Sequence, residues 1–202
     1  MNIDDEFDII ITKYSLAKDL VENKLKIMMN DFVNKHNYNP IEHFKSRIKS
    51  KESIINKLNN KKLDITVDNI VNNVKDIVGI RLVCSFLTDI YDIVSLISNI
   101  SQFNIIERKD YITNPKESGY TSYHLIISVP INYKGQKEFV NVEIQIRTVA
   151  QDFWASLNHK IQYKYEENIP NDIKEEMYEY SLIINQLDKK MVNLNKVVNG
   201  GK

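Results

Sequence analysis

The sequence is poor in the residues that mark several protein classes. It contains 1 Cys, 4 Pro and 5 Gly among 202 residues. The single cysteine, Cys84, excludes an internal disulfide and fits a reducing compartment. Internal repeats, low-complexity segments, Gly-rich phosphate loops of the Walker type and metal-spaced Cys/His clusters are also missing from the sequence.

Net charge and long apolar runs are missing as well. Lys plus Arg and Asp plus Glu each number 27, so bulk attraction to nucleic acid or acidic membranes is not indicated. No window of about 18 apolar residues exists, and residues 1–6 are acidic where a signal peptide is basic. With 43% hydrophobic and 27% charged residues, we expect a globular cytoplasmic protein without a membrane partner.

Long amphipathic helices are predicted at both ends of the chain. Residues 5–35 carry apolar side chains at three- and four-residue steps. Asp172, with Glu175 three residues later, is a capping signal that opens a second helix reaching to about Val198. The near-heptad stripe of this helix is typical of packing on the first helix or on a second copy of the chain. The stripe consists of Ile173, Met177, Tyr180, Ile184, Leu187, Met191, Leu194 and Val198.

Strands and helices alternate between these ends. The predicted strands are residues 44–49, 77–86, 104–107, 124–131 and 139–147. The predicted helices are residues 51–58, 67–74, 88–100 and 149–165. Thr88 or Asp89 is expected to cap the third of them. Strand 77–86 is almost continuously apolar, which indicates burial on both faces. We therefore predict an α/β fold with a mixed sheet of about five strands and flanking helices.

Residues 109–124 contain more charged and aromatic side chains than a simple turn needs. They hold a Pro, a Gly, two Lys, three Tyr and a His between two predicted strands. Tyr offers a flat surface for stacking, and Lys offers a charge suited to phosphate. From the loop alone, a ligand-binding loop and an ordinary hairpin with surface aromatics are equally acceptable.

A basic run follows the first helix. Residues 44–62 contain seven basic side chains and one acidic one. Arg47 and Lys49 share one face of a strand, and Ser53 and Lys57 share one face of a helix. The four groups suit a cradle for polyphosphate, although a solvated basic face is the commoner meaning of such a run.

Charged residues also interrupt the predicted strands. Asp76 stands at the start of strand 77–86, and Arg81 lies within it, where a buried charge requires an anion or a carboxylate as partner. In strand 139–147, period two places Glu143, Gln145 and Arg147 on one polar face. That face either lines a site or is the solvent face of an edge strand.

Helix 149–165 has its own apolar stripe. The stripe consists of Phe153, Trp154, Leu157, Ile161 and Tyr165. His159 and Tyr163 lie one turn apart beside it, and core packing is the favoured interpretation for both.

Four motifs occur in order along the chain. They are Arg47-x-Lys49-x-x-x-Ser53-x-x-x-Lys57, Asp76-Ile-x-Gly79-Ile-Arg81, Asp110-Tyr-Ile-x-x-Pro115-Lys116-x-x-Gly119-Tyr120-x-Ser122-Tyr123-His124 and Val142-Glu143-Ile-Gln145-Ile-Arg147-Thr148. In order and spacing they resemble the synthetase domain of the RelA/SpoT alarmone enzymes, over about residues 44–165. The flanking helices resemble the stand-alone small synthetases of the RelQ type. The expected organisation is an N-terminal helix at 1–40, a catalytic domain at 41–168 and a C-terminal helix for oligomerisation at 169–202, all in one compact unit.

The resemblance implies a GTP pyrophosphokinase of the stringent response. Such an enzyme moves the β,γ-pyrophosphate of ATP to the 3′-hydroxyl of GDP or GTP with the help of Mg²⁺. It implies Asp76 and Glu143 as magnesium ligands, Glu143 also as the base, and Arg81 as a partner of the phosphates or of Glu143. The implied ATP contacts are Arg47, Lys49, Ser53 and Lys57. The implied acceptor contacts are Lys116 and His124 for phosphate, Tyr120 for stacking on guanine and Gln145 for hydrogen bonding.

The resemblance also implies a nucleotidyltransferase-like synthetase fold and a homotetramer. No hydrolase activity is expected, because the four His residues include no His-Asp pair. In RelQ-type tetramers pentaphosphate binds a central cleft, and the matching positions here are Glu22, His43 and Asp152, with only Lys26 retained. Glu22 and Asp152 place negative charge against this polyanion, so we predict that pentaphosphate activates the enzyme weakly or not at all.

One alternative is a non-catalytic module that binds RNA or nucleotide through residues 47–62. The pair of carboxylates argues against it, since a pure binding protein has no use for them. The preferred acceptor among GDP, GTP and GMP stays open.

Overall fold

The computed structural model describes residues 3–165 and 168–198, which form six helices and five strands. The outermost residues of the predicted terminal segments, 1–2 and 199–202, lie outside the described residues. The helices are α1 (Ile3–His36), α2 (Lys51–Asn60), α3 (Val67–Asn73), α4 (Leu87–Ser98), α5 (Val149–Lys164) and α6 (Asn171–Val198). The strands are β1 (Ile41–Ile48), β2 (Val78–Cys84), β3 (Asn104–Asp110), β4 (Tyr123–Tyr133) and β5 (Gln136–Thr148).

The strands form one mixed sheet in the order β1-β2-β5-β4-β3. β2 and β5 run parallel, and the other neighbours run antiparallel. A two-residue turn at Lys134 and Gly135 joins β4 to β5, with φ angles of 50° and 81°. Positive φ at both positions suits a hairpin turn that follows the twist of its strands. The predicted α/β fold with a mixed five-stranded sheet and flanking helices is confirmed, and β5 is a central strand.

The two faces of the sheet differ in chemistry. Val142, Ile144 and Ile146 of β5 are fully buried in a core that they share with residues of α1 and α4. Strand alternation turns Glu143 and Arg147 to the opposite face, where α5 contacts β5 and β2. One face therefore stabilises the fold, and the other is left for polar groups.

One local prediction was confirmed in part, and two were wrong. β2 is buried on its core face, whereas on the polar face, which α5 partly covers, Val83 is buried but Gly79 and Arg81 are only half-buried. The cap of α4 is Phe86, whose backbone N–H donates to the Asp89 carboxylate at 3.0 Å. Asp172 lies inside the first turn of α6, where a negative charge complements the helix dipole, and it does not precede the helix.

The predicted stripe of α5 was also wrong. Trp154 is 4% exposed, and its Nε1–H donates to the Met177 carbonyl at 2.9 Å. Phe153 and Leu157 are 65% and 38% exposed, because α5 covers a polar face of the sheet and offers the core only one large apolar side chain.

Helix α6 buries a narrower face than its sequence suggests. Met177, Ser181 and Asp188 are its buried residues, and the helix contacts α5 and α4. Most of the predicted stripe stays exposed within the chain, including Leu187 at 46% and Leu194 at 54%. No helix within residues 3–165 and 168–198 is long and apolar enough to cross a membrane.

Candidate active site

Strand register gathers distant polar side chains on one face of the sheet. Gly79 of β2 pairs with Glu143 of β5, and two residues further on Arg81 pairs with Gln145. Gln145 pairs in turn with His124 of β4. Since residues paired across a sheet project to the same side, the predicted site residues of three strands lie together.

Two adjoining cavities open on this face. One, of about 660 Å³, is lined by seven of the eleven predicted site residues: Arg47, Asp76, Arg81, Lys116, Tyr120, Glu143 and Gln145. The other, of about 510 Å³, is lined by Lys49, Ser53 and Lys57. Arg47 and His159 border both cavities. His124 is buried between Tyr120 and Glu143.

Asp76 connects the two cavities. Its carboxylate accepts hydrogen bonds from the Lys49 ammonium at 2.6 Å and from the Lys57 ammonium at 2.7 Å. Burial acts to raise the pKa of Asp76, but the hydrogen bonds and charges of the two lysines outweigh it and lower the pKa below its ordinary value. The carboxylate is therefore ionised at neutral pH and fixes both lysines at the wall of the basic cavity.

Ser53 lies at the start of α2. Ser50 caps the helix by accepting from the Ser53 backbone N–H at 3.2 Å, and its hydroxyl donates to the Ser53 hydroxyl at 2.8 Å. A helix N-terminus with hydroxyl groups beside lysines favours phosphate.

Glu143 is held at both carboxylate oxygens. The His124 Nδ1 lies 3.2 Å from Oε1, and the Gln145 amide donates to Oε2 at 2.8 Å. Burial acts to raise the pKa of Glu143, but the hydrogen bond and charge of His124 and the hydrogen bond of Gln145 lower it below its ordinary value. Glu143 is thus an ionised carboxylate on the cavity wall, in a fixed orientation.

Glu143 belongs to a closed ring of hydrogen bonds between side chains. The Arg147 Nη2 donates to the Tyr120 hydroxyl at 2.6 Å and to the side-chain Oε1 of Gln145 at 2.9 Å. Tyr120 then bonds the His124 Nε2 at 2.8 Å. A carboxylate only accepts, so the His124 Nδ1 carries a hydrogen toward Glu143. Both branches of the ring run from the Arg147 cation to the Glu143 anion.

Lys116 and two tyrosines form the loop side of the cavity. The Lys116 ammonium lies 4.9 Å from the ring centre of Tyr111 and 5.1 Å from that of Tyr120. Contacts of this kind hold a cation against aromatic faces. The loop turns at Gly119, whose φ is +82° and whose N–H donates to the Lys116 carbonyl at 2.8 Å.

Arg81 meets a carboxylate, as its place in an apolar strand predicted, but the partner is not Glu143. Its Nη1 lies 3.1 Å from the Asp152 Oδ1 on α5. The Arg147 Nη1 lies 3.2 Å from the same oxygen. Asp152 therefore belongs to the site face and is compensated by two guanidinium groups.

Sequence reasoning missed three contributors to the site. Arg147 was placed on the polar face but given no role. The signal for its role is that this cation is only 7% exposed, which can be seen only once the fold is known. Asp152 was considered only as a regulatory position. His159 was assigned to the core with Tyr163, but His159 is exposed and borders both cavities, and Tyr163 is 84% exposed.

The donor set suits Mg²⁺ shared with a phosphate ligand. Within residues 3–165 and 168–198, no cluster of three or more His, Cys, Asp or Glu side chains is arranged to hold a metal on its own. Asp76 and Glu143 nevertheless line the same cavity as ionised oxygen donors. Mg²⁺ is commonly bound by one or two carboxylates plus substrate phosphates, so the two residues fit that mode.

Comparison with known proteins shows which proteins the chain is similar to. Residues 46–168 match the family model described as the region found in RelA/SpoT proteins. The chain is 44% identical to the GTP pyrophosphokinase YwaC of Bacillus subtilis over 92% of this chain and 88% of that protein. The crystal structure of small alarmone synthetase 2 from Bacillus subtilis superposes with a TM-score of 0.86 at 41% identity, covering 95% of this chain and 98% of that one. Small alarmone synthetase 1 from the same organism, bound to its product pppGpp, gives a TM-score of 0.88 at 33% identity, covering 96% and 98%.

Proposed function

The chain belongs to the RelA/SpoT family, and we propose that it is a GTP pyrophosphokinase that transfers the β,γ-pyrophosphate of ATP to the 3′-hydroxyl of GDP or GTP. The observation that carries the proposal is the pair of adjoining cavities. One has a basic wall at Lys49 and Lys57, the other has Glu143 and Tyr120, and Asp76 lies between them. A reaction that transfers pyrophosphate from one nucleotide to another needs two adjoining sites of this kind.

The basic cavity suits the triphosphate of ATP. Arg47, Lys49 and Lys57 supply cations, and Ser53 supplies a hydroxyl at the start of α2. Pyrophosphoryl transfer places much negative charge in one region, and fixed cations stabilise that charge. Lys49 and Lys57 are already oriented by Asp76, so little reorganisation is needed when phosphate binds.

Asp76 and Glu143 are the residues that would hold Mg²⁺. When bound, Mg²⁺ neutralises phosphate charge and positions the phosphate oxygens. The chain contributes two ionised carboxylates on one cavity wall and the lysines that balance Asp76.

Glu143 is the proposed general base. It takes the proton of the acceptor 3′-hydroxyl while O3′ forms a bond to the β-phosphorus and the bond from that phosphorus to the oxygen of AMP breaks. General bases of this kind contribute about 10²- to 10⁴-fold to a rate. His124 and Gln145 orient the carboxylate, and its lowered pKa keeps it unprotonated at neutral pH.

The loop between β3 and β4 is the proposed acceptor side. Tyr120 supplies a ring for stacking on guanine, and Lys116 supplies a charge for acceptor phosphate. His124 uses both ring nitrogens, Nδ1 with Glu143 and Nε2 with Tyr120, and the Gln145 amide donates to Glu143. Their proposed contacts with the acceptor therefore replace one of these hydrogen bonds.

We also propose a homotetramer in the cytoplasm that does not degrade its product. Support for self-association comes from the apolar side chains that α6 exposes, Leu187, Met191 and Leu194 among them. Burial of such a stripe against another copy removes apolar surface from water.

The deciding experiment incubates the protein with Mg²⁺, ATP and either GDP or GTP. Mass spectrometry should detect AMP and a new guanosine tetra- or pentaphosphate. Glu143→Gln should reduce the rate at least about 100-fold, since it cannot accept the proton. Glu138→Gln, which alters a partly exposed carboxylate paired with Lys13, is the matched control and should keep the wild-type rate. No product from wild type would refute the proposed function, and equal rates for wild type and Glu143→Gln would refute the role of the base.

A further inference from the structure

Two arginines of the site share one carboxylate oxygen. Arg81 comes from β2 and Arg147 from β5, and the Nη1 atoms of both lie within 3.2 Å of the Asp152 Oδ1. The two guanidinium groups repel each other, and the single negative charge between them offsets that repulsion. Any event that draws one arginine away changes how firmly the other is held.

Both arginines line the 660 Å³ cavity, but they differ in their neighbours and in how firmly they are held. Arg147 donates to Tyr120 and Gln145, which belong to the proposed acceptor half. The Arg81 side chain is 32% exposed and stands on β2, beside the β1 strand that carries Arg47 of the basic cavity. Within the described part of the chain, Asp152 alone forms an ion pair with it. Arg81 can therefore turn toward donor phosphate near Arg47, whereas Arg147 is buried and held by Tyr120 and Gln145 of the proposed acceptor half.

We propose that Asp152 is a positioning residue that couples the donor half of the site to the acceptor half through Arg81 and Arg147. This inference rests on the proposed function. When donor phosphate recruits Arg81, the Asp152 carboxylate is left to Arg147 alone and holds it more firmly. Arg147 then fixes Tyr120 and Gln145 in place before the acceptor arrives.

The consequence is positive cooperativity between the two nucleotides. When the donor half is occupied, Tyr120 and Gln145 are already ordered. The acceptor then no longer has to supply the free energy of ordering them, so it binds more tightly. By linkage, the acceptor tightens donor binding by the same factor. Couplings carried by one such contact network are typically fivefold or more.

Equilibrium binding tests the coupling without turnover. The probe is α,β-methylene ATP with Mg²⁺, in which a CH₂ group replaces the oxygen between the α- and β-phosphorus atoms, so that the bond to the β-phosphorus does not break. Calorimetric titration of GDP should show affinity about fivefold or more higher with the analogue than without it. In Asp152→Asn the ratio of the GDP affinities with and without the analogue should fall below about twofold, because a neutral amide does not form ion pairs with the two guanidinium groups. Asp172→Asn, the same change at an exposed site on α6, should keep the wild-type ratio.

A second variant protects the test against misfolding of the first. Arg147→Lys keeps the charge but cannot bond Asp152, Tyr120 and Gln145 together, so it should lose the coupling as well. A wild-type ratio near one, or a wild-type ratio retained in a folded Asp152→Asn or Arg147→Lys protein, would overturn the inference. Product formation by the wild type in the same preparation would show that the proposed function stands even then.

Discussion

Gly119 faces Ser181 so closely that a β-carbon on Gly119 would lie 2.0 Å from the Ser181 Oγ and 2.6 Å from its Cβ. Ser181 is 3% exposed, and its hydroxyl donates to the Tyr178 carbonyl at 2.6 Å, so it has no room to retreat. The loop of the proposed acceptor side is therefore seated directly on α6.

This contact predicts that Gly119→Ala damages acceptor binding. The substitution combines a φ of +82° with a collision against a buried side chain, so the loop must move. We expect the KM for GDP or GTP to rise at least about tenfold, by about 1.4 kcal/mol or more. Gly135→Ala is the matched control, since its φ is +81° but nothing lies within 4 Å of the added carbon. It should cost about 1 kcal/mol of stability and leave the KM unchanged. Equal kinetics for the two variants would show that Ser181 does not support the loop.

Asp188 predicts a pH dependence of stability. Burial raises its pKa to about 6, although the Thr148 hydroxyl donates to its carboxylate at 2.7 Å. Between about pH 4 and 6 the folded state holds a proton that the unfolded state has released, so the free energy of unfolding falls as pH rises through this window. Asp188→Asn keeps an acceptor for Thr148 without a charge and should stabilise the protein at pH 7 by roughly 2–3 kcal/mol.

Urea unfolding at pH 4, 5 and 7 measures this effect. The advantage of Asp188→Asn should shrink steadily toward pH 4, and Glu179→Gln at an exposed position in the middle of α6 should show no such trend. A constant difference across the pH range would mean that the substitution acts through packing.

The sequence predicted best where the signal is local. The alternation in β5 placed Glu143, Gln145 and Arg147 on one polar face, and the structure has them there. Period-two alternation is a property of the strand itself, so no tertiary knowledge is needed to see it.

Tertiary partners were beyond sequence reasoning. The apolar run around Arg81 required an anionic partner, but nothing in the spacing identified Asp152, which lies on a helix that reaches the site only after the sheet is assembled. The same helix defeated the prediction for Phe153 and His159, because a helix over a polar face exposes apolar residues and turns polar ones to the cavities.

The exposed stripe of α6 predicts how the protein assembles. Leu187 and Leu194 are 46% and 54% exposed, and burying each against another copy contributes up to about 2 kcal/mol. Leu187→Glu combined with Leu194→Glu should convert the proposed tetramer to smaller species, as measured by light scattering at micromolar concentration. Gln186→Glu adds charge at an exposed polar position of the same helix and should leave the mass unchanged. A monomeric wild type would remove the basis for the tetramer.

Glu22 predicts a weak response to pentaphosphate. Its carboxylate is paired with Lys18 at 2.9 Å and Lys26 at 3.7 Å and accepts a hydrogen bond from Ser46. Burial acts to raise the pKa of Glu22, but Ser46 and the lysines outweigh it and lower the pKa, so the negative charge persists at neutral pH. Glu22 opposes a polyanion near α1 in two ways, by its own negative charge and by holding Lys18 and Lys26, which would otherwise be available to bind it. We expect added pentaphosphate to change the rate of the wild type less than about twofold, and Glu22→Gln, which releases Lys18 and Lys26, to respond more strongly. Asp19→Asn, which removes another partner of Lys18, should respond like the wild type. Strong stimulation of the wild type would contradict the prediction, and an unresponsive Glu22→Gln would show that this carboxylate is not what limits the response.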